Sequence, residues 1–361
     1  MLLSRVCRRL VPRGTCGMSS SPTSRGTVSP WASLPPLEQI MSPSTPSSID
    51  EAAADCETID LWLDEHDVAH VQLARPDKLN AVNMRMWWEI QHAFGAIDRD
   101  QRARAAVLSA QGAAFCAGMD LSVFVQMQEI DRQERCPGRR SEQLARLVEF
   151  LQDSCTALER CRVPVLAAVH GPCIGGGLDL VTAADLIYCT PGAQFTLKEV
   201  DLAIVADLGV LQRLPRLVGL QRTREMAYTA RAVAGEEAEE LGLAVECVNF
   251  TFDDDGEGGE GGGGDAGEGE GGVGGAAADP ERVRGALLSY VSEAAQDIAG
   301  RSPITQRGIK QTLLHARDTA SVAEGLNFVK QWNCGHLYSE DLQLTINALM
   351  QGERELPEYR N

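Results

Sequence analysis

Pro164 to His170 is an unbroken apolar run that leads into Gly175-Gly176-Gly177. No other stretch restricts the fold so tightly. A strand with no polar side needs both faces covered, as in the middle of a parallel sheet. Leu178 to Ala184 then has helical spacing, and Leu186 to Cys189 returns to strand. Strand, helix and strand in this alternation predict an α/β fold with a parallel sheet.

The 361 residues, 44% of them hydrophobic, suffice for a large core and an accessory region. Val68 to Ala74 alternates as a half-buried strand and is closed by the turn residues Arg75-Pro76-Asp77. Asn83 opens a helix with Trp87, Ile90, Phe94 and Ile97 on one face. A short strand, Ala105 to Ser109, precedes a small-residue loop from Gly112 to Asp120. The helix from Glu142 to Arg160 aligns Leu144, Leu147, Leu151, Cys155 and Leu158 in one stripe. Thr223 to Leu241 reads as helix and Ala244 to Val248 as a closing strand. Beyond Pro280 the pattern is helical to about Met350, broken near Ser302-Pro303 and Asp318. There Leu326, Val329, Trp332 and Cys334 form an apolar face suited to packing within the chain or against another subunit.

Two segments differ in kind. In the first, Arg5, Arg8, Arg9, Arg13 and Arg25 lie among Ser, Thr and Pro, with no acid before Glu38; this reads as an organelle transit peptide or a basic tail. The second, residues 253–279, is almost entirely Gly, Asp, Glu and Ala and cannot bury enough apolar area to offset its ordering entropy. The division expected is 1–50 leader, 51–252 catalytic core, 253–280 disordered linker and 281–361 helical region. Much of the net charge of −18 sits in that linker, where Gly256, Gly258 and Gly261 spell G-x-G-x-x-G. Without a preceding strand or following helix, and with acids that repel a pyrophosphate, it is no dinucleotide site.

No basic stripe carries interleaved aromatics, which argues against a nucleic-acid partner. The 11 cysteines form no C-x-x-C pair and the 6 histidines no H-E-x-x-H, so no metal is expected and a reducing compartment is. No apolar run is long enough to span a bilayer. The terminal Glu358-Tyr359-Arg360-Asn361 is not a peroxisomal S-K-L address.

The chemistry gathers around the glycines. Between a buried strand and a helix their N–H groups form either an anion-binding start or a turn kept for tight packing. Phe115-Cys116-Ala117-Gly118-Met119-Asp120 offers a second donor, the Met119 N–H; two converging donors make an oxyanion hole. Asp120 itself reads better as a turn or helix cap. Three carboxylates follow. Asp179 fits the first turn of a helix with or without chemistry, and Glu199 could be a loop charge. Asp207 lies among Ile204, Val205, Ala206, Leu208 and Val210, where a carboxylate must find a partner or shift its pKa. His170 at its strand end reads as structural.

Ala114 to Asp120 and Pro164 to Gly177 resemble the enoyl-CoA hydratase/isomerase (crotonase) superfamily. Arg75-Pro76-Asp77-Lys78-Leu79-Asn80-Ala81 is similar to its CoA-receiving segment. Gly177 to Asp185, Lys198 to Asp201 and Ala206 to Pro215 resemble the Δ3,5-Δ2,4-dienoyl-CoA isomerases within it, where a hydratase would carry Glu at position 179 and no acid at position 207. The resemblance implies a spiral of β-β-α units with a C-terminal helical trimerisation region. It implies oxyanion donors at Met119 and Gly176, and substrate contacts from Arg75, Lys78, Asn80, Ala81, Ala117, Gly118, Asp120 and Gly175. The reaction implied removes a proton at C2 and adds one at C6, with Asp207 the preferred C2 base, Glu199 the second acid and Asp179 tuning the site. It needs an acyl-CoA thioester and no other cofactor. A homotrimer or dimer of trimers in mitochondria is expected. Alternatives are a hydratase and a non-catalytic acyl-CoA-binding or RNA-binding member of the fold.

Overall fold

The computed structural model describes residues 46–252, 258–260, 279–353 and 355–360, so most of the expected leader and linker lies outside the described residues. Folding begins earlier than the boundary at residue 50. Ser48 caps helix α1 (Ile49–Ala54), and the buried Ile49 N–H donates to Asp100 Oδ2 at 3.0 Å.

The main sheet has six strands: β1 (Ile59–Leu63), β2 (Val68–Leu73), β3 (Ala105–Ala110), β4 (Val165–Val169), β6 (Leu186–Cys189) and β9 (Glu246–Cys247), in that order. β1 is antiparallel to β2, and every later pairing in this sheet is parallel. On one face Ala69, Val71, Leu73, Leu108 and Ala167 meet Trp87, Ile90, Phe94 and Ile97 of helix α2 (Met84–Arg99), which Asn83 caps as expected. On the other, Val68, Ala105, Val107 and Leu166 pack against Leu287, Val291 and Ala295 of a distant helix, Pro280–Ala299.

That second layer corrects the reading of β2, all of whose residues are buried. The polar positions of its alternation, His70 and Gln72, are covered and partnered, with His70 Nε2 3.2 Å from Asp64 Oδ2 and Gln72 Nε2 donating to Ser109 Oγ at 3.3 Å. Alternation reports two faces; it does not report that one of them meets water.

A second, three-stranded sheet holds β5 (Pro172–Ile174), β7 (Gln194–Thr196) and β8 (Ala232–Ala234). β5 and β7 are parallel, and Cys116 forms a parallel bridge to Cys173 at the other edge. The chain thus passes repeatedly from the main sheet to the small sheet and then to a helix. After β3 and Cys116 come α3 (Leu121–Gln133) and α4 (Pro137–Arg160). After β4 and β5 comes α5 (Gly176–Val181). After β6 and β7 come a 3-10 turn at Glu199–Leu202, then α6 (Val210–Leu217) and α7 (Gly219–Thr229). This is the spiral of β-β-α units.

Three boundaries differ from the sequence pattern. α4 starts at Pro137, since Pro suits a first helical turn. The stretch from Thr223 to Leu241 is two helices: α7 ends where Ala230 takes a left-handed φ of 51°, β8 follows with Val233 buried, and α8 (Gly235–Glu240) comes after it. The antiparallel pairing of β8 with β7 overrides helical propensity there. Within the expected linker, Gly258–Glu260 (β11) pairs antiparallel with Phe250–Phe252 (β10), a main-chain ladder that needs no apolar side chain.

The C-terminal region is α9 (Pro280–Ala299), α10 (Pro303–Asp318), α11 (Val322–His336) and α12 (Glu340–Gln351). α11 has no buried residue, and Leu326 on its apolar face is exposed. Among the described residues no helix is long and apolar enough to cross a membrane.

Candidate active site

The site follows from register. Cys116 stands beside Cys173, and Cys173 is paired with Phe195, all parallel. Parallel neighbours lie ~5 Å apart, so the chain ends leaving these positions emerge side by side. Those ends carry Met119, Gly176 and Glu199.

Gly175 enters α5 with φ 50°, ψ −113°, a conformation that disfavours any side chain. Gly176 is the first helical residue, so its N–H has no carbonyl one turn back to bond. A Cβ on Gly176 would lie 3.9 Å from the Met119 nitrogen. Around Met119, Val82 N–H donates to Gly118 O at 2.8 Å and Asp120 N–H to Val82 O at 3.0 Å, so the intervening Met119 N–H points away from Val82. The two residues assigned as oxyanion donors are thus neighbours at the start of α5. Trp87 walls it, 3.1 Å from a Cβ placed on Gly176. Sequence reading took Trp87 only as a core residue; its place beside the glycine was not signalled by spacing. At Gly177 a Cβ would fall 2.7 Å from Cys116 Cβ, so this third glycine serves packing.

The three carboxylates come from different elements: Asp179 from α5, Glu199 from the 3-10 turn and Asp207 from the turn before α6. Asp179 is 1% exposed, and its Oδ1 accepts the Val210 N–H at 2.8 Å. Its pKa is pushed up to about 8, first by burial and then by the charges of Glu199 and Asp207, against the opposing Val210 N–H and Arg213. Glu199 is buried in its 3-10 turn with Oε1 3.1 Å from a Cβ placed on Gly175, and its Oε2 has no hydrogen-bond partner among the described residues. Burial raises its pKa, and Asp207 adds to the rise.

Asp207 does not lie among apolar neighbours as its sequence context implies. Ala206 and Leu208 turn inward and are buried, Val205 is 75% exposed, and Asp207 itself is exposed. It lines a cavity of about 400 Å³ with Gln152, Thr156, Arg213, Arg216 and Arg317. Partial desolvation still raises its pKa.

The expected CoA segment splits. Asn80 is fully buried at φ 54°; its Oδ1 accepts the Arg75 N–H at 2.8 Å and its Nδ2 donates to Gln111 O and Ala114 O at 2.8 and 2.9 Å. The Arg75 guanidinium is held 3.2 Å from Asp120 Oδ2. Asp120 also caps α3, accepting from Ser122 N–H at 2.9 Å. These three side chains brace the loop that was expected to meet the substrate. Ala117 N–H donates to Leu79 O at 2.9 Å, so Ala117 and Gly118 dock this loop on the segment containing half-buried Ala81. Lys78 is exposed, with no ion-pair partner among the described residues. His170 is structural, its Nε2 2.8 Å from Gly112 O. Among the described residues no group of three His, Cys, Asp or Glu side chains is placed to hold a metal ion.

Two main-chain donors over a glycine helix start, faced by carboxylates with raised pKa values, define an acid/base enzyme that stabilises an oxyanion. The sequence profile of the enoyl-CoA hydratase/isomerase family matches residues 64–250. A protein of Arabidopsis thaliana named "Delta(3,5)-Delta(2,4)-dienoyl-CoA isomerase, peroxisomal" is 38% identical over 283 residues, 78% of this chain and 90% of that protein. A Homo sapiens protein named "Delta(3,5)-Delta(2,4)-dienoyl-CoA isomerase, mitochondrial" is 38% identical over 289 residues, 78% of this chain and 75% of that one. The solved structure of an enoyl-CoA hydratase from Bacillus anthracis superposes with a TM-score of 0.66 at 25% identity, covering 84% of this chain and 99% of that chain. The chain belongs to the enoyl-CoA hydratase/isomerase family.

Proposed function

We propose that this chain is a Δ3,5-Δ2,4-dienoyl-CoA isomerase. The observation that carries the reading is two carboxylates on different elements: Glu199 lies against Gly175 at the helix start, and Asp207 lines a cavity with Gln152 and Arg213. The relatives named for this activity support it.

A carboxylate at the thioester end removes the C2 proton, and the electrons pass through the diene to the thioester oxygen, where the Met119 and Gly176 N–H groups receive the charge. Return of the electrons places double bonds at C2 and C4 as the second carboxylate delivers a proton to C6. The proximity of Glu199 to Gly175 supports Glu199 at C2 and Asp207 at C6, the opposite of the preference read from sequence. Asp179, pushed up to about 8, is neutral at pH 7 and keeps a third negative charge out of the site. The transposition is redox-neutral and consumes only the CoA ester.

Supplying a 3,5-dienoyl-CoA in D2O tests this. Near-ultraviolet absorbance should rise and the product should carry deuterium at C6. Rapid hydration of a 2-enoyl-CoA without diene conjugation would overturn it. A mitochondrial address and a trimer or dimer of trimers built on the C-terminal helices belong to the same proposal. The first is supported by the arginine-rich, acid-poor leader, and the second by the exposed apolar face of α11. Organelle import and sedimentation equilibrium test them.

A further inference from the structure

Asp207 is exposed, and no other residue donates to its carboxylate among the described residues. Its position is therefore set by its main chain, and that main chain is held from three sides. Gln152 Nε2 of α4 donates to Asp207 O at 2.6 Å, Arg213 Nη1 to Leu208 O at 3.4 Å, and Val210 N–H to Asp179 at 2.8 Å. Gly209 has φ 125°, and a Cβ there would fall 1.9 Å from Arg213 Nη1. The guanidinium fills the inside of the turn.

Arg213 is itself fixed. Its Nε donates to Glu159 Oε2 at 2.6 Å and its Nη2 to Thr156 Oγ1 at 3.3 Å, while Glu159 Oε1 pairs with Arg317 at the end of α10. Both Arg213 and Glu159 side chains are 12% exposed, so this ion pair is little screened. The charged groups facing the turn are Glu159 from α4, Arg317 and Asp318 from α10, Arg216 from α6, Asp179 from α5 and Glu199 from the 3-10 turn.

Resting on the isomerase reading, we propose that Arg213 is a positioning residue: it holds the turn from Asp207 to Gly209 so that the Asp207 carboxylate meets the remote end of the diene. Displacing a reacting group by ~1 Å can cost about 100-fold in rate.

The test uses the full chain as wild type, Arg213→Met, Arg213→Lys and Gln152→Ala. For Arg213→Met, kcat on a 3,5-dienoyl-CoA should fall by roughly 30- to 100-fold with KM nearly unchanged. Lysine restores the charge but not the fork, so Arg213→Lys should recover only part of the rate. Amide hydrogen exchange across residues 204–212 should quicken by about tenfold in Arg213→Met, with β4 unaffected. Unchanged exchange in this turn, or a rate within about twofold of wild type, overturns the proposal. If Arg213→Met does not fold, Gln152→Ala, which removes only the bond to the Asp207 carbonyl, must show the same loss in kcat over KM; an unchanged kcat there overturns the proposal. A wild type that fails to conjugate the diene sinks the isomerase reading alone, and the exchange measurement still decides whether Arg213 holds the turn.

Discussion

Asp179→Asn should make the protein more stable at high pH than the wild type while costing little at low pH. The wild-type carboxyl is 1% exposed and its pKa is pushed up from 3.8 to about 8, first by burial and then by Glu199 and Asp207. In the unfolded chain the same group titrates near ~3.9. Between these values the folded protein keeps a proton that the unfolded chain has lost. The stabilising effect of the neutral carboxyl is therefore complete below ~pH 4 and declines until the folded group ionises near pH 8. At about 1.4 kcal/mol per pH unit the ceiling is ~6 kcal/mol. Relaxation and water entry reduce what a buried charge costs, so a gap of about 2–4 kcal/mol should open between mutant and wild type from pH 5 to pH 9. Asparagine reproduces the neutral carboxyl and can still accept the Val210 N–H. The raised acids Glu199 and Asp207 add slopes of the same sign to both proteins and largely cancel in the comparison. Urea unfolding at a series of pH values measures it. Parallel stability curves for the two proteins would show that Asp179 does not fold neutral and would remove the electrostatic role assigned to it.

The remaining expectations concern the other acids and the braces of the site. Asp207→Asn should lower kcat by about 10²- to 10⁴-fold yet leave C2 hydrogen exchange with solvent, read by mass spectrometry, whereas Glu199→Gln should abolish that exchange. Loss of C2 exchange in Asp207→Asn would reverse the two assignments. Asn80→Ala frees two buried carbonyls and the Arg75 N–H and should cost ~2–4 kcal/mol in urea unfolding; a cost under ~1 kcal/mol would show that these bonds do not brace the loop. Gly177→Ala places a Cβ 2.7 Å from Cys116 Cβ and should destabilise by about 1–3 kcal/mol. An unchanged melting midpoint would show that the α5 start is not packed as described.

Local chemistry made much of the fold legible. The Asn83 cap, the unbroken apolar strand before the glycines and the return to strand at Leu186 all carry short-range signals, and each element lies where those signals put it. The errors share one cause. β2 was read as half-buried because the helix covering its second face begins at Pro280, far along the chain. The break at Ala230 was invisible because β8 forms only by pairing with β7. Asp207 looked apolar in its surroundings because sequence neighbours were taken for spatial ones, whereas Ala206 and Leu208 point the other way.

The convergence of Met119, Gly176 and Glu199 depends on none of these local signals. It depends on Cys116, Cys173 and Phe195 being neighbours in one parallel register. A slip of one residue in a strand turns every side chain to the opposite face. A slip between β5 and β7 would carry Glu199 away from Gly175 while leaving both helices and both sheets intact. The residues that fix this register are therefore as much part of the catalytic arrangement as the acids. Gly177 against Cys116, Gly175 N–H on Thr196 O at 2.9 Å, and Cys116 N–H on Pro172 O at 2.9 Å lock adjacent chain segments at the point where their ends become the site. Asp207 stands outside this lock, on a turn held by α4 and Arg213. On the proposed assignment the thioester end is built into the sheet and the remote end is clamped from outside it, so substitutions at Arg213 should alter reach to C6 without disturbing the Met119 and Gly176 donors.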